Sequence, residues 1–221
     1  MSLIAKICGL KTPEALDVAL ESGADMVGFV FFAPSPRNLA PEAARPLGER
    51  VKGRAGKVAL IVDAGDQTLD AIVEALKPDM LQLHGSETPE RVTELRKRLG
   101  LPVMKALPIA AKGDLDRIER YAKVADRLLF DARAPQDATR PGGLGQPFDW
   151  SLLKGIDPGI PFMLSGGLDA GNVAEALRIT RAGGVDVSSG VERAPGEKDP
   201  DKIRAFIRAA WAAEAALAVN A

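Results

Sequence analysis

The sequence predicts one α/β domain, a single (β/α)8 TIM barrel spanning residues 1–221. Eight short apolar runs recur at intervals of roughly 20 to 35 residues, each followed by a helix-like stretch, the alternation that builds a parallel sheet covered by helices. The last two runs end in small-residue clusters, Ser165-Gly166-Gly167 and Ser188-Ser189-Gly190. Those clusters fall after strands 7 and 8, where such barrels hold phosphate. A chain of 221 residues allots roughly 27 to each βα unit, so insertions are small and a second domain is not expected.

The elements follow in order. Leu3 to Cys8 is the first strand, and Thr12-Pro13-Glu14 behind it puts Thr at a helix N-cap with Pro at the first helical position. Met26 to Phe32, Val58 to Val62 and Met80 to His84 are the next three strands; Thr88-Pro89-Glu90 repeats the capping triplet after the fourth. Val103 to Leu107 and Arg127 to Asp131 are the fifth and sixth. The longest interruption comes next, Ala134 to Pro147, and contains Gly142-Gly143-Leu144-Gly145. Glycine at that density lets a loop approach a ligand closely or move over it. Pro161 to Ser165 and Val185 to Ser189 complete the barrel. A closing helix starts near Asp199-Pro200, with Ile203, Phe206, Ile207, Ala210 and Trp211 on one buried face. The Ala-rich stretch from Ala209 to Ala221 reads as its fraying end.

Hydrophobic residues make up 46% of the chain and charged residues 27%, enough apolar material for one buried core. A net charge of -1 sets up no general field for nucleic acid or an anionic membrane, so an anion must be held by local geometry. The expected partner is a small-molecule substrate. No run approaches about 18 uninterrupted apolar residues, and Met1 to Lys6 lacks the apolar core of a signal peptide. The single cysteine excludes an internal disulfide, and the cytoplasm is the default compartment. Monomer and homodimer both stay open.

A barrel's active site is built from the C-terminal ends of its strands. Alternation along a strand places Lys6 with Cys8, Gln82 with His84, and Leu129 with Asp131 on common faces. The candidate rim set is therefore Lys6, Cys8, Asp63, Gln82, His84, Asp131 and Asp186. A thiol has a reference pKa near 8.5, and Lys6 on the same face could draw Cys8 towards thiolate, which suits a proton acceptor. A small buried hydrophobe is the ordinary alternative. Asp131 is either a loop or helix cap or an acid partner facing the thiol. His84, the one histidine, has no second ligand beside it and reads as a hydrogen-bonding residue, a catalytic one being the alternative, with no metal or cofactor expected. Gly166, Gly167, Ser189 and Gly190 are the expected backbone donors to a phosphate, tight turns being the alternative. Strands 3 and 4 lack such clusters, which favours a single phosphate. The ligand's other end then needs an anchor, and Arg37, on the Pro-stiffened segment Ala33-Pro34-Ser35-Pro36-Arg37, could fork onto a carboxylate.

These segments resemble one family, phosphoribosylanthranilate isomerase, which performs an Amadori rearrangement in tryptophan biosynthesis. The resemblance rests on Lys6-Ile7-Cys8-Gly9-Leu10, Gly28-Phe29-Val30-Phe31, Ser35-Pro36-Arg37, Gln82-Leu83-His84-Gly85, Asp131 with Gly142-Gly143-Leu144-Gly145 and Phe148-Asp149-Trp150, Ser165-Gly166-Gly167-Leu168, Asn172-Val173, and Asp186 through Glu192. They run in order from the first strand to the eighth. The resemblance implies that Cys8 is the general base, Asp131 the general acid and Arg37 the anchor of the anthranilate side. It further implies that Gln82, His84 and Asp186 bind substrate, and that Gly143 joins Gly166, Gly167, Ser189 and Gly190 at the phosphate. Leu144 departs from the family, which commonly has Thr there, so only backbone contacts are expected from Gly142, Gly143 and Gly145. Two other sugar-phosphate barrels fit less well. The analogous isomerase of histidine biosynthesis has a carboxylate where Cys8 stands and two phosphate sites, and indole-glycerol phosphate synthase has an extra segment ahead of the first strand. A barrel that only binds a phosphorylated ligand would keep the glycine clusters without needing Cys8 to face Asp131.

Overall fold

Every strand is short and apolar enough to be buried on both faces, and all eight close on themselves. In the computed structural model, which describes residues 2–135, 137, 138, 140–143, 145 and 147–219, the chain forms a closed parallel barrel of β1 (Ile4–Cys8), β2 (Met26–Phe31), β3 (Gly56–Ile61), β4 (Met80–Leu83), β5 (Val103–Ile109), β6 (Arg127–Ala132), β7 (Phe162–Leu164) and β8 (Gly184–Val187) in sequential order. The helices between them are α1 (Pro13–Glu21), α2 (Pro41–Val51), α3 (Asp66–Leu76), α4 (Pro89–Leu99), the short α5 (Ile118–Ala122), α6 (Val173–Thr180) and the closing α7 (Pro200–Val219). Thr12 and Thr88 do cap α1 and α4, accepting from Ala15 and Arg91 with Pro at the first turn of each.

Two connections differ from the expected alternation. Between β6 and β7 the described residues form no α-helix, only a 3-10 turn at Trp150–Leu153, because five prolines and five described glycines remove the donors and the backbone restraint a helix needs. After β8 comes an unexpected hairpin, β9 (Glu192–Ala194) with β10 (Glu197–Lys198), antiparallel and turned at Gly196, which has a φ of +81°. The Ala-rich stretch stays helical to Val219, and Glu214 accepts from the Leu3 amide at 2.5 Å, pinning α7 to the start of β1.

Alternation sorts each strand's side chains into two cores. Outward residues such as Ile7, Phe29, Ile61 and Leu81 pack against Leu16, Leu69, Ile72 and Phe206 of the helices. Inward residues form two stacked layers. Val58, Met104, Ala106, Leu129 and Met163 fill the lower lumen, and Cys8, Val30 and Leu60 lie nearer the C-terminal mouth. Within the lumen Lys6, fully buried, pairs with Asp186 of the adjacent β8 at 2.8 Å. A buried ion pair is poor value for stability, and this one sits directly below Cys8.

Candidate active site

A cavity of about 630 Å³, counting its open mouth, occupies the C-terminal end of the barrel and is lined by residues from every strand or its following loop except β5. Cys8 and Asp131 both face it. So do His84, Arg37, Asp186, Gly143, Gly166, Gly167 and Ser189, which the sequence had nominated from separate segments.

On the β1 side, Cys8 shares its face with Lys6, as the alternation requires. Lys6 does not, however, deliver a thiolate. Burial pushes the Cys8 thiol above its ordinary value; the Lys6 ammonium opposes this, the Asp186 carboxylate adds to it, and Lys198 opposes it more weakly. The expected activation by Lys6 is thus outweighed by desolvation, since the Lys6 charge is already committed to Asp186. Gly28 of β2 stands beside the thiol. A Cβ there would lie 2.8 Å from Cys8 Sγ and 3.1 Å from Lys6 Nζ, so the absence of a side chain is what makes room for both.

On the β6 side, Asp131 Oδ1 accepts from the Ala132 amide at 2.9 Å, and Oδ2 lies 3.0 Å from His84 Nε2. Gln82, fully buried beneath, has its amide nitrogen 3.0 Å from His84 Nδ1, while its Oε1 has no partner among the described residues. With the amide donating to Nδ1, Nε2–H donates to an ionised Asp131. With the amide turned over, Oε1 accepts from Nδ1–H and Nε2 accepts from a protonated Asp131. The chain Gln82–His84–Asp131 therefore has a hydrogen-bond arrangement for either form of the carboxyl. Gln82 does not line the cavity but contacts His84, which does. The turn carrying His84 is itself clamped, because Lys105 Nζ donates to Leu83 O at 3.1 Å, to Gly85 O at 2.7 Å and to buried Glu87 at 2.9 Å. Gly142 closes over this acid: a Cβ on it would meet Asp131 Oδ2 at 2.5 Å.

Arg37 is 4% exposed, and its fork is already occupied. Nε and Nη2 each donate to Glu192 at 2.7 Å, and Nη2 also donates to Gly143 O at 3.3 Å. The expected bidentate fork onto a ligand carboxylate is therefore not free in this arrangement, and Nη1 is the guanidinium nitrogen without a hydrogen bond to the described residues. Glu192 in turn takes a 2.8 Å contact from Lys198 Nζ and the Gly196 amide at 3.2 Å.

In the loop after β7, Gly166 and Gly167 have φ of +86° and +67°. No carbonyl or side-chain acceptor among the described residues takes the amide hydrogens of Gly166, Gly167 or Ser189. Free N–H groups gathered at one end of a cavity make an anion site. Gly190 does not line the cavity. A Cβ there would collide with the Leu168 carbonyl oxygen, so this glycine lets the loops after β7 and β8 pack together. Asp63 lies outside as well, with its carboxylate accepting from the amide and hydroxyl of Ser86. Leu144 falls outside the described residues.

Sequence reasoning missed Lys198, the role of Glu192 and the cavity-lining Arg140. The Gly196-Glu197-Lys198 turn was the available signal for the first two, but strands of three and two residues have no readable periodicity. Among the described residues no group of three or more His, Cys, Asp or Glu gathers as a metal site, and no helix is long and apolar enough to cross a membrane.

Residues 5–209 match the family model described as N-(5'-phosphoribosyl)anthranilate (PRA) isomerase. A protein of that name from Nitrobacter hamburgensis is 67% identical over 214 residues, covering 97% of this chain and 95% of its own. The crystal structure of phosphoribosyl anthranilate isomerase from Thermotoga maritima superposes with a TM-score of 0.85 at 35% identity, over 94% of this chain and 98% of that one. A further isomerase structure, in complex with reduced 1-(o-carboxyphenylamino)-1-deoxyribulose 5-phosphate, has a TM-score of 0.81 at 33% identity, again over 94% and 98%.

Proposed function

This chain belongs to the N-(5'-phosphoribosyl)anthranilate isomerase family, and from that premise we propose how its own residues divide the reaction. The chain is an isomerase of tryptophan biosynthesis; the division of roles is our reading, as are its placement as one catalytic domain and in the cytoplasm, where a lone thiol stays reduced. Asp131, protonated and held by His84, delivers its proton to the furanose ring oxygen. The C1–O bond breaks, and the substrate nitrogen's lone pair forms an iminium with C1. Cys8 removes the proton from C2, whose electrons flow into the iminium to give an enolamine. That species loses its enol proton and gains one at C1, becoming the 1-deoxyribulose product. No electrons enter or leave overall, and the electron sink is the substrate's own nitrogen.

The observation that carries this reading is the opening of Cys8 and Asp131 onto one cavity that is also lined by Arg37 and by unbonded backbone donors of Gly166, Gly167 and Ser189. The donors suit a phosphate and Arg37 a carboxylate, so the reacting sugar carbons are suspended between base and acid. The test is loss of phosphoribosylanthranilate fluorescence after its generation in situ. Cys8→Ser and Asp131→Asn should each lose on the order of 10²- to 10⁴-fold in kcat while folding normally. Wild-type turnover no faster than spontaneous decay would leave a binding-only barrel, and a near-normal kcat in either variant would remove that residue from its role.

A further inference from the structure

The charge at the Arg37 end of the cavity is decided by a residue that does not line it. Arg37 and Glu192 form a bidentate buried pair, with both side chains 4% exposed and both contacts at 2.7 Å, and that pair is neutral. Alone it offers an anionic ligand little. Lys198 reaches the same carboxylate from β10, its Nζ 2.8 Å from Glu192 Oε1 and its side chain 2% exposed. Its other contacts are the Ser188 carbonyl at 2.8 Å and the Ser188 hydroxyl at 3.2 Å. The buried trio therefore sums to +1, and the guanidinium edge is its one face towards the cavity.

We propose that Lys198 is a positioning residue for selectivity: by taking up the charge of Glu192 it leaves the Arg37 charge available to a substrate carboxylate. The proposal rests on the reading above that Arg37 faces that carboxylate. A purely structural role competes with it, because the contacts to Ser188 tie the hairpin to the loop after β8. The two roles separate cleanly. Removing Glu192 as well as Lys198 restores the net +1 but not the tether.

Burial also lowers the Lys198 ammonium to about 8. Glu192 opposes that shift, Arg37 adds to it and Cys8 of β1 opposes it weakly; Lys202 of α7 donates to the Glu192 carbonyl. Above that pH the trio becomes neutral, so carboxylate selectivity should fall in the wild-type protein without any substitution.

The experiment compares inhibition constants of a reduced product analogue and its counterpart lacking the carboxylate. The proteins are wild type, Arg37→Ala, Lys198→Met, Glu192→Gln and the Lys198→Met/Glu192→Gln pair. Lys198→Met should weaken the carboxylated analogue about tenfold and leave the other within about twofold, as expected for loss of one charge in a partly buried site. The pair should recover most of that loss, with kcat changing less than KM throughout. In wild type the selectivity ratio should drop between pH 7 and pH 9 and should stay flat in the pair. Equal weakening of both analogues by Lys198→Met, with no recovery in the pair, would reduce Lys198 to a tether and overturn the proposal. A wild-type ratio independent of pH would overturn it even if Lys198→Met failed to fold. If Arg37→Ala itself leaves the ratio unchanged, the underlying assignment of Arg37 is what fails, and that result is visible separately.

Discussion

Replacing Gly28 by Ala should inactivate the base without touching a reactive group. Gly28 is the register partner of Cys8 across β1 and β2, and its φ is one any residue adopts, so backbone strain does not enter. The added methyl would lie 2.8 Å from Cys8 Sγ, 3.2 Å from Cys8 Cα and 3.1 Å from Lys6 Nζ. An unstrained contact needs about 3.5 to 4 Å, so the sulfur must retreat by roughly 1 Å. Lys6 cannot give way easily, because its ammonium is held by Asp186 at 2.8 Å inside the lumen. Overpacking of this kind costs about 1 to 3 kcal/mol of stability. A displacement near 1 Å of a reacting group costs about 10²-fold in rate, or about 2.7 kcal/mol of transition-state stabilisation. The assay is kcat from substrate fluorescence alongside thermal unfolding, for Gly28→Ala, Cys8→Ala and the pair. Cys8→Ala removes the sulfur, so the methyl should cost less stability in that background, with a coupling of about 0.5 to 3 kcal/mol. Gly28→Ala with kcat within threefold of wild type and an unchanged Tm would refute the crowding on which this rests.

Two further outcomes follow from the ends of the site. Because the Cys8 pKa lies above the ordinary thiol value, its thiolate fraction in the empty enzyme grows as pH rises; iodoacetamide alkylation of this one cysteine should keep accelerating beyond about pH 8.5. A plateau below that pH would contradict the dominance of burial over Lys6. Inorganic phosphate should compete with substrate, with Ser189→Ala leaving its inhibition constant within about twofold because the backbone N–H survives, while Gly166→Ala weakens it at least about tenfold. At Gly166 a Cβ would meet the Ala132 amide nitrogen and lie 3.0 Å from Asp131 Oδ1, at a φ of +86°. Equal effects of the two substitutions would move the phosphate away from the backbone donors.

Much of the barrel was legible in the chain because its causes are local. Alternation within one strand puts Lys6 and Cys8, or Gln82 and His84, on one face whatever the rest of the protein does. A Thr-Pro-Glu triplet starts a helix by bonds to its own first turn, and both such triplets do so. The barrel rule then sends polar strand ends to one rim, which is why Cys8, Asp131, His84, Asp186 and Arg37 all reach the cavity. Other outcomes depend on partners far along the chain. The fork of Arg37 closes on a residue 155 positions away, Asp131 meets a histidine 47 positions earlier, and Lys198 acts through a hairpin too short to have a period of its own. Whether Gly190 serves a ligand or a packing contact depends on where the Leu168 carbonyl comes to lie. The direction of the Cys8 pKa is of the same kind. Its sequence neighbours include a cation, but barrel closure removes the water, and desolvation of a thiolate outweighs a lysine already paired with Asp186. Sequence alone determined the eight barrel strands, their faces and the chemical types gathered at the mouth; burial and long-range pairing, which exist only once the barrel closes, decided which of those groups carry charge and which remain open to a ligand.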